Sequence, residues 1–188
     1  MKSRSLVFIL IALVTAIYPF VVYFGITHYG PTSLALILLS VLIIRTLFAG
    51  KQMKTAQSIQ LVLVGSLCLL TIWLQSETLL LYYPVIMSLC VAGFFWFSLN
   101  TETPLIERFA SVFKNEISHH AKRYMRELTK VWAVILLINA GVAFYTAYYL
   151  TVKQWALYNG AIAYMVFAVF TLLELVNRYF FKKRHDDF

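Results

Sequence analysis

Three polar residues stand inside long apolar stretches: Arg45, Asn139 and Glu174. Ionisable groups in such surroundings are costly and mark functional positions by default. Arg45 and Glu174 carry opposite charges at similar depth in two different segments, so one reading pairs them across the fold. The competing reading is local: Arg45 extends its head to an interface, and Glu174 pairs with Arg178 one helical turn on. Asn139 fits an interhelical hydrogen bond worth about 1 kcal/mol or less. A second group is aromatic. Tyr145, Tyr148 and Tyr149 follow the i, i+3, i+4 spacing of one helix face. With Tyr82, Tyr83 and Trp155 they form a candidate ligand-binding set, an aromatic face able to hold a polyene, an acyl chain or a lipid headgroup. The plainer alternative is the aromatic belt of a membrane interface. A belt needs one or two aromatics per helix, and this segment supplies three tyrosines within five residues.

Catalytic chemistry has little to work with. No GxSxG, HExxH, Walker or Rossmann pattern occurs. Of the eight acidic residues, only Glu77 falls on the expected outer side, which excludes a two-carboxylate mechanism there. The cytoplasmic loops carry no acidic cluster for Mg²⁺. His119 and His120 are adjacent, so on a helix they point about 100° apart and cannot chelate one metal together. Cys68 and Cys90 lie in apolar runs without CxxC spacing and read as small buried hydrophobes. No catalytic residue, metal or cofactor is expected.

The elements that must position these side chains follow from composition. The chain is 61% hydrophobic and 13% charged, against about 45–50% and 25% in soluble domains. A soluble chain of 188 residues cannot hide that much apolar surface, so the solvent is lipid. Crossing a bilayer takes about 20 mostly apolar residues in a helix. Six segments qualify: Leu6–Ile26, Thr32–Ala49, Ser58–Gln75, Leu79–Leu99, Val131–Leu150 and Trp155–Val176. Strands are excluded, because these runs do not alternate and open sheet edges fail in hydrocarbon. The expected fold is all-α: a polytopic membrane helix bundle, one transmembrane domain over residues 1–188.

Charge orients the bundle. With the N-terminus inside, 15 of the 16 Lys and Arg residues fall on one side, and only Lys153 falls outside. Cytoplasmic loops collect positive residues, so both termini are expected in the cytoplasm of a bacterial inner membrane. The net charge of +8 therefore belongs to topology, and no nucleic acid is implied. Lys2 and Arg4 before an apolar stretch are also similar to a cleavable signal peptide, but the run continues past Ala16 to Ile26, which suits a retained span.

Between spans four and five lies the polar segment 103–130. Thr103 suits an N-cap and Pro104 the first turn of a helix. Leu105, Ile106, Phe109, Val112, Phe113 and Ile117 then follow helical spacing, which predicts an amphipathic helix lying at the interface. Ser118 suits the cap of a second helix leading into span five. Arg108, Lys114, Lys122, Arg123, Arg126 and Lys130 are the candidate membrane-surface or partner-docking residues. Positive charges near anionic headgroups contribute about 1 kcal/mol each.

Pro104-Leu105-Ile106 with Arg108, after a span and before a basic segment, resembles the PLI-x-R element of bacterial intracellular septation protein A. The likeness continues in Trp132-Ala133, Tyr145, Ala147-Tyr148, Trp155 and Tyr158. Ala143 and Asn159 depart from that pattern, which has Asn and Lys there. The chain also resembles a related group of inner-membrane proteins encoded beside fatty-acid-synthase-like genes for aryl polyene pigments. The first likeness implies a non-enzymatic role in envelope synthesis or division. The second implies service to a lipid-like aryl polyene. The expected function is a small non-catalytic protein supporting envelope or lipid assembly, with the bilayer and other envelope or lipid-synthesis proteins as partners. The alternative is a transporter or flippase component holding a lipid or polyene against the tyrosines. A chain of this size is also compatible with a homodimer.

Overall fold

The structure is a computed structural model that describes residues 20, 22–25, 30–47, 54–111 and 117–184, without the side chains at 45, 54–57, 182 and 184. All regular structure among these residues is helical, and no strand occurs. Lipid imposes this outcome, because a helix satisfies its backbone N–H and C=O groups internally. The chain runs through α1 (Pro31–Leu47) and α2 (Lys54–Leu74). A 3-10 turn at Glu77–Tyr82 then leads into α3 (Tyr83–Ser98), followed by the short α4 (Leu105–Ser111). The 31-residue α5 (His119–Tyr149) comes next. After it, α6 (Val152–Leu157) passes through a π turn, Tyr158–Ile162, into α7 (Ala163–Arg184).

Among the described residues, three helical stretches are long and apolar enough to cross a membrane: Glu77–Ser98, His119–Tyr149 and Val152–Phe181. Two shorter apolar helices, Pro31–Ile44 and Ser58–Leu74, precede them. Of the first expected span, Leu6–Ile26, only residues 20 and 22–25 are described, and they are helical.

Local chemistry places the helix ends. Pro31 opens α1 directly after Gly30, whose carbonyl accepts from the Ser33 and Leu34 amides at 3.1 and 3.4 Å. A first-turn proline has no N–H to leave orphaned. After α2, Gln75 adopts a left-handed φ of 50°, which costs a residue with a side chain roughly 1 kcal/mol. Its side-chain amide offsets this by donating to the Ile72 carbonyl at 2.6 Å and to the Thr32 hydroxyl at 3.1 Å. The end of α2 is thereby tied to the start of α1. Thr151 and Gln154 form a reciprocal capping box at α6. Ser118 accepts from the Ala121 amide at 3.2 Å, the cap its position predicts.

The chain divides into two compact units. The first comprises the described parts of Met1–Met87 and Ala140–Ala163. Its core is built on Leu34, Leu38, Val64, Leu80 and Trp155. Gly160, within the π turn, lies under the Phe20 ring, where a Cβ would come within 2.5 Å of the ring edge. The missing side chain leaves room for that ring, whereas a Cβ at Gly141 would meet nothing within 4 Å. The second unit comprises the described parts of Ser88–Asn139 and Tyr164–Phe188. There Trp132 meets Phe170 edge-on at 4.9 Å, with Phe95 and Phe167 at 6.3 and 6.2 Å. Asn139 donates to the Ser88 hydroxyl at 2.9 Å, the interhelical bond expected of it, joining α5 to α3.

Burial inverts the soluble pattern. Large apolar side chains point outward, as at Trp73, Leu47 and Phe97, while α5 buries Ala133, Ala140, Ala143 and Ala147. Small residues let helices approach closely where lipid supplies no hydrophobic drive between them. Hydroxyls are satisfied within their own helix: Ser40, Thr46, Ser66, Thr71, Thr129 and Thr171 each donate to the carbonyl four residues back.

Candidate functional site

The polar segment after α3 is held by its own arginines. Arg108 reaches back from α4, its Nε donating to the Thr103 carbonyl at 2.8 Å and its Nη2 to the Thr101 hydroxyl at 3.0 Å. Arg126 reaches across from α5 and donates to the Leu99 carbonyl at 2.7 Å. Helix ends leave carbonyls without partners, and guanidinium groups satisfy them. Ser98 adds the reciprocal contact by accepting from the Leu105 amide at 3.1 Å. The helix after the turn begins one residue later than the sequence predicts. The Pro104 carbonyl accepts from the Arg108 amide at 3.0 Å, so Pro104 itself occupies the cap position expected of Thr103. The reason is that Ser98, from the preceding helix, already serves the Leu105 amide.

Glu107, a charged residue of α4, is buried to 6% exposure. Its Oε1 lies 3.9 Å from Nζ of Lys122, which joins α4 to α5. Lys130 pairs at 2.7 Å with Glu127, one turn back on α5. Lys122, Arg123, Arg126 and Lys130 are all exposed and ride on the same continuous helix as the apolar stretch that follows. Two of the six candidate docking residues, Arg108 and Arg126, therefore also hold the turn. Lys114 lies outside the described residues. His119 and His120 are exposed at the start of α5, their rings at 86° and 6.3 Å apart. No metal-binding group of His, Cys, Asp or Glu occurs among the described residues.

The aromatic set separates into two environments. Tyr145, Tyr148 and Tyr149 share an exposed face of α5, with Tyr149 at 5.1 Å from Tyr145 and 4.7 Å from Tyr148. Tyr82 is half-buried against Phe144 at 5.9 Å. Tyr83 and Trp155 lie instead in the core. Trp155, expected in the outer aromatic belt, is fully buried, and its indole N–H donates to the Leu81 carbonyl at 3.0 Å. An indole with its donor satisfied is a large hydrophobe, and burial follows. Close by, Asn159 is buried in the π turn and donates to the Thr146 hydroxyl at 3.2 Å and the Trp155 carbonyl at 2.9 Å. In the sequence Asn159 stands out only as a departure from the septation-protein pattern. A lone amide inside an apolar run was its signal.

Glu174 also resolves differently from its local expectation. Glu174 accepts from the Tyr124 hydroxyl at 3.2 Å, and Asn177 donates to the same hydroxyl at 3.4 Å. The ion pairs among the described residues do not include Glu174 with Arg178. Arg178 instead carries a buried Nε without a hydrogen-bond partner there. The Arg45 side chain lies outside the description, and so does its expected pairing with Glu174.

Among the described residues, long apolar helices with outward-facing hydrophobes point to a helical membrane protein. The chain belongs to the intracellular septation protein A family, whose family model matches residues 7–185. No curated protein and no solved structure matches it significantly. The family's span extends beyond the likeness carried by Pro104 to Tyr158 and takes in the N-terminal half as well. Within it, Pro104 and Arg108 act in building the turn after α3.

Proposed function

We propose that the chain is a non-catalytic inner-membrane protein that serves envelope assembly by docking a cytoplasmic partner on the basic start of α5. In this reading it crosses the bilayer six times, with both termini in the cytoplasm. The one-sided distribution of Lys and Arg supports the orientation, and family membership supports the septation-type role. One observation carries the docking site. The exposed Lys122 and Arg123 sit on α5, which runs unbroken from His119 to Tyr149 and is tied to the end of α3 by Arg126. A partner bound there meets a positive surface that the turn holds in place. Opposite-charge surfaces steer association and set specificity, so the partner presents an acidic segment.

The experiment is crosslinking in native membranes with wild type and with Lys122→Gln plus Arg123→Gln. Loss of a crosslinked protein in the variant, at equal expression, supports the reading. An unchanged set of crosslinked proteins rejects it. Arg126 is left intact, because its substitution disturbs the turn as well as the surface.

The tyrosine face supports a second reading, a component that carries a lipid or aryl polyene. Its basis is the ring-to-ring contact of Tyr145, Tyr148 and Tyr149 on an exposed helix face. Replacing all three with Leu is expected to strip a copurifying polyene or lipid if this reading holds. Unchanged retention rejects it.

A further inference from the structure

We propose that the groove between α5 and α7 binds the ammonium headgroup of an aminophospholipid. This goes beyond the docking role and does not depend on it. The groove has a volume of about 340 Å³, within the range of small-molecule sites but fit only for a headgroup and the first part of a chain. It lies wholly within the second unit. One end is polar, formed by Tyr124 and Glu127 of α5 with Glu174 and Asn177 of α7. The other end is apolar, formed by Leu128 and Val131 with Phe170 and Leu173. The two ends follow from antiparallel packing: Tyr124 faces Phe181 at 4.8 Å, and Trp132 faces Phe170 at 4.9 Å. An amphiphile is the ligand that matches such a groove.

Charge selects the head. Glu127 is answered by Lys130 at 2.7 Å. Glu174 is half-buried and accepts from the neutral Tyr124 hydroxyl, with no cation within 4.0 Å among the described residues; the charge of Arg178, one turn on, reaches the same phenol only from farther off. A half-buried carboxylate with no cation in contact keeps room for one, and a ligand ammonium fills it. Both the carboxylate and the phenol oxygen accept hydrogen bonds, so the cation needs N–H donors. A primary ammonium has three, whereas a quaternary ammonium has none. A headgroup without a cation would bring its phosphate towards Glu174 with no ammonium to offset the repulsion. A soluble amine would leave the apolar end unfilled. Both α5 and the α6–α7 stretch are long and apolar enough to cross a membrane, so the groove opens where lipid is at hand.

The test is native mass spectrometry of the full chain in mild detergent, titrated with phosphatidylethanolamine, phosphatidylglycerol and phosphatidylcholine of identical acyl chains. Wild type is expected to retain one phosphatidylethanolamine about tenfold more tightly than the other two, the worth of one charge-assisted hydrogen bond. Glu174→Gln, which keeps the shape and removes the charge, is expected to abolish that preference. Leu173→Trp fills the apolar end, leaves the charges alone and is expected to lose the lipid as well, so the inference stays testable if one variant fails to fold. Equal retention of the three lipids by wild type overturns it. So does a preference that survives both substitutions. A lipid-free dimer that Leu173→Trp disrupts overturns it too, because a second copy then fills the groove.

Discussion

The indole N–H of Trp155 donates to the carbonyl of Leu81 at 3.0 Å, joining residues 74 positions apart in sequence. Trp155 is fully buried, so no solvent competes for either group. The bond ties the start of α6 to the 3-10 turn ahead of α3. Trp155→Phe removes the donor and leaves a void. The expected cost is about 2 kcal/mol, from the orphaned carbonyl and the lost contacts together. Thermal unfolding in detergent reads it as a clear fall in Tm. Tyr148→Phe, on the exposed face of α5, is expected to leave Tm unchanged.

Arg126 and Arg108 both donate to the turn between α3 and α4. Arg126→Gln is expected to loosen residues 99–104 by about 1 kcal/mol, since the bond is charged but exposed. Hydrogen exchange of those amides is expected to quicken about fivefold, with the apolar part of α5 unaffected. Arg126→Lys is expected to restore only part of the protection, because its shorter side chain must bring the ammonium to the Leu99 carbonyl that Nη2 reaches at 2.7 Å.

Asn159 and Thr146 share a buried hydrogen bond at 3.2 Å. A double-mutant cycle with Asn159→Ala and Thr146→Val is expected to give a coupling of about 0.6 kcal/mol, the average for such pairs in membranes. Additive losses across the cycle would show that the two side chains contribute independently.

Gly160 leaves room for the Phe20 ring, and a Cβ there would meet the ring edge at 2.5 and 2.7 Å. Gly160→Ala is expected to destabilise by about 1 kcal/mol, since the ring must move. Phe20→Leu in the same chain is expected to recover most of that loss. Equal Tm for wild type and Gly160→Ala would show that the ring swings aside without cost.

Much of this architecture is legible from one dimension. Apolar runs beyond 20 residues read directly as helices, because hydrocarbon permits no other way to satisfy a single segment's backbone. Ser118 reads as a cap from its place before a helical pattern, and it is one. Asn139 reads as an interhelical donor, and Ser88 receives it. Polar atoms in lipid have few solutions, so sequence alone narrows them.

What sequence could not decide is which partner each polar group chooses. Arg108 and Arg126 read as positive surface charges, and folding turns them onto the carbonyls of a turn up to 27 residues away. Glu174 reads as the mate of Arg178 or of Arg45, and among the described residues α5 supplies the Tyr124 hydroxyl. Trp155 reads as an interfacial ring, and the Leu81 carbonyl draws it into the core. Hydropathy and charge bias sum over many residues, so composition determines the helical class and the expected address. Each hydrogen bond depends on where two helix faces meet, and only tertiary packing decides that.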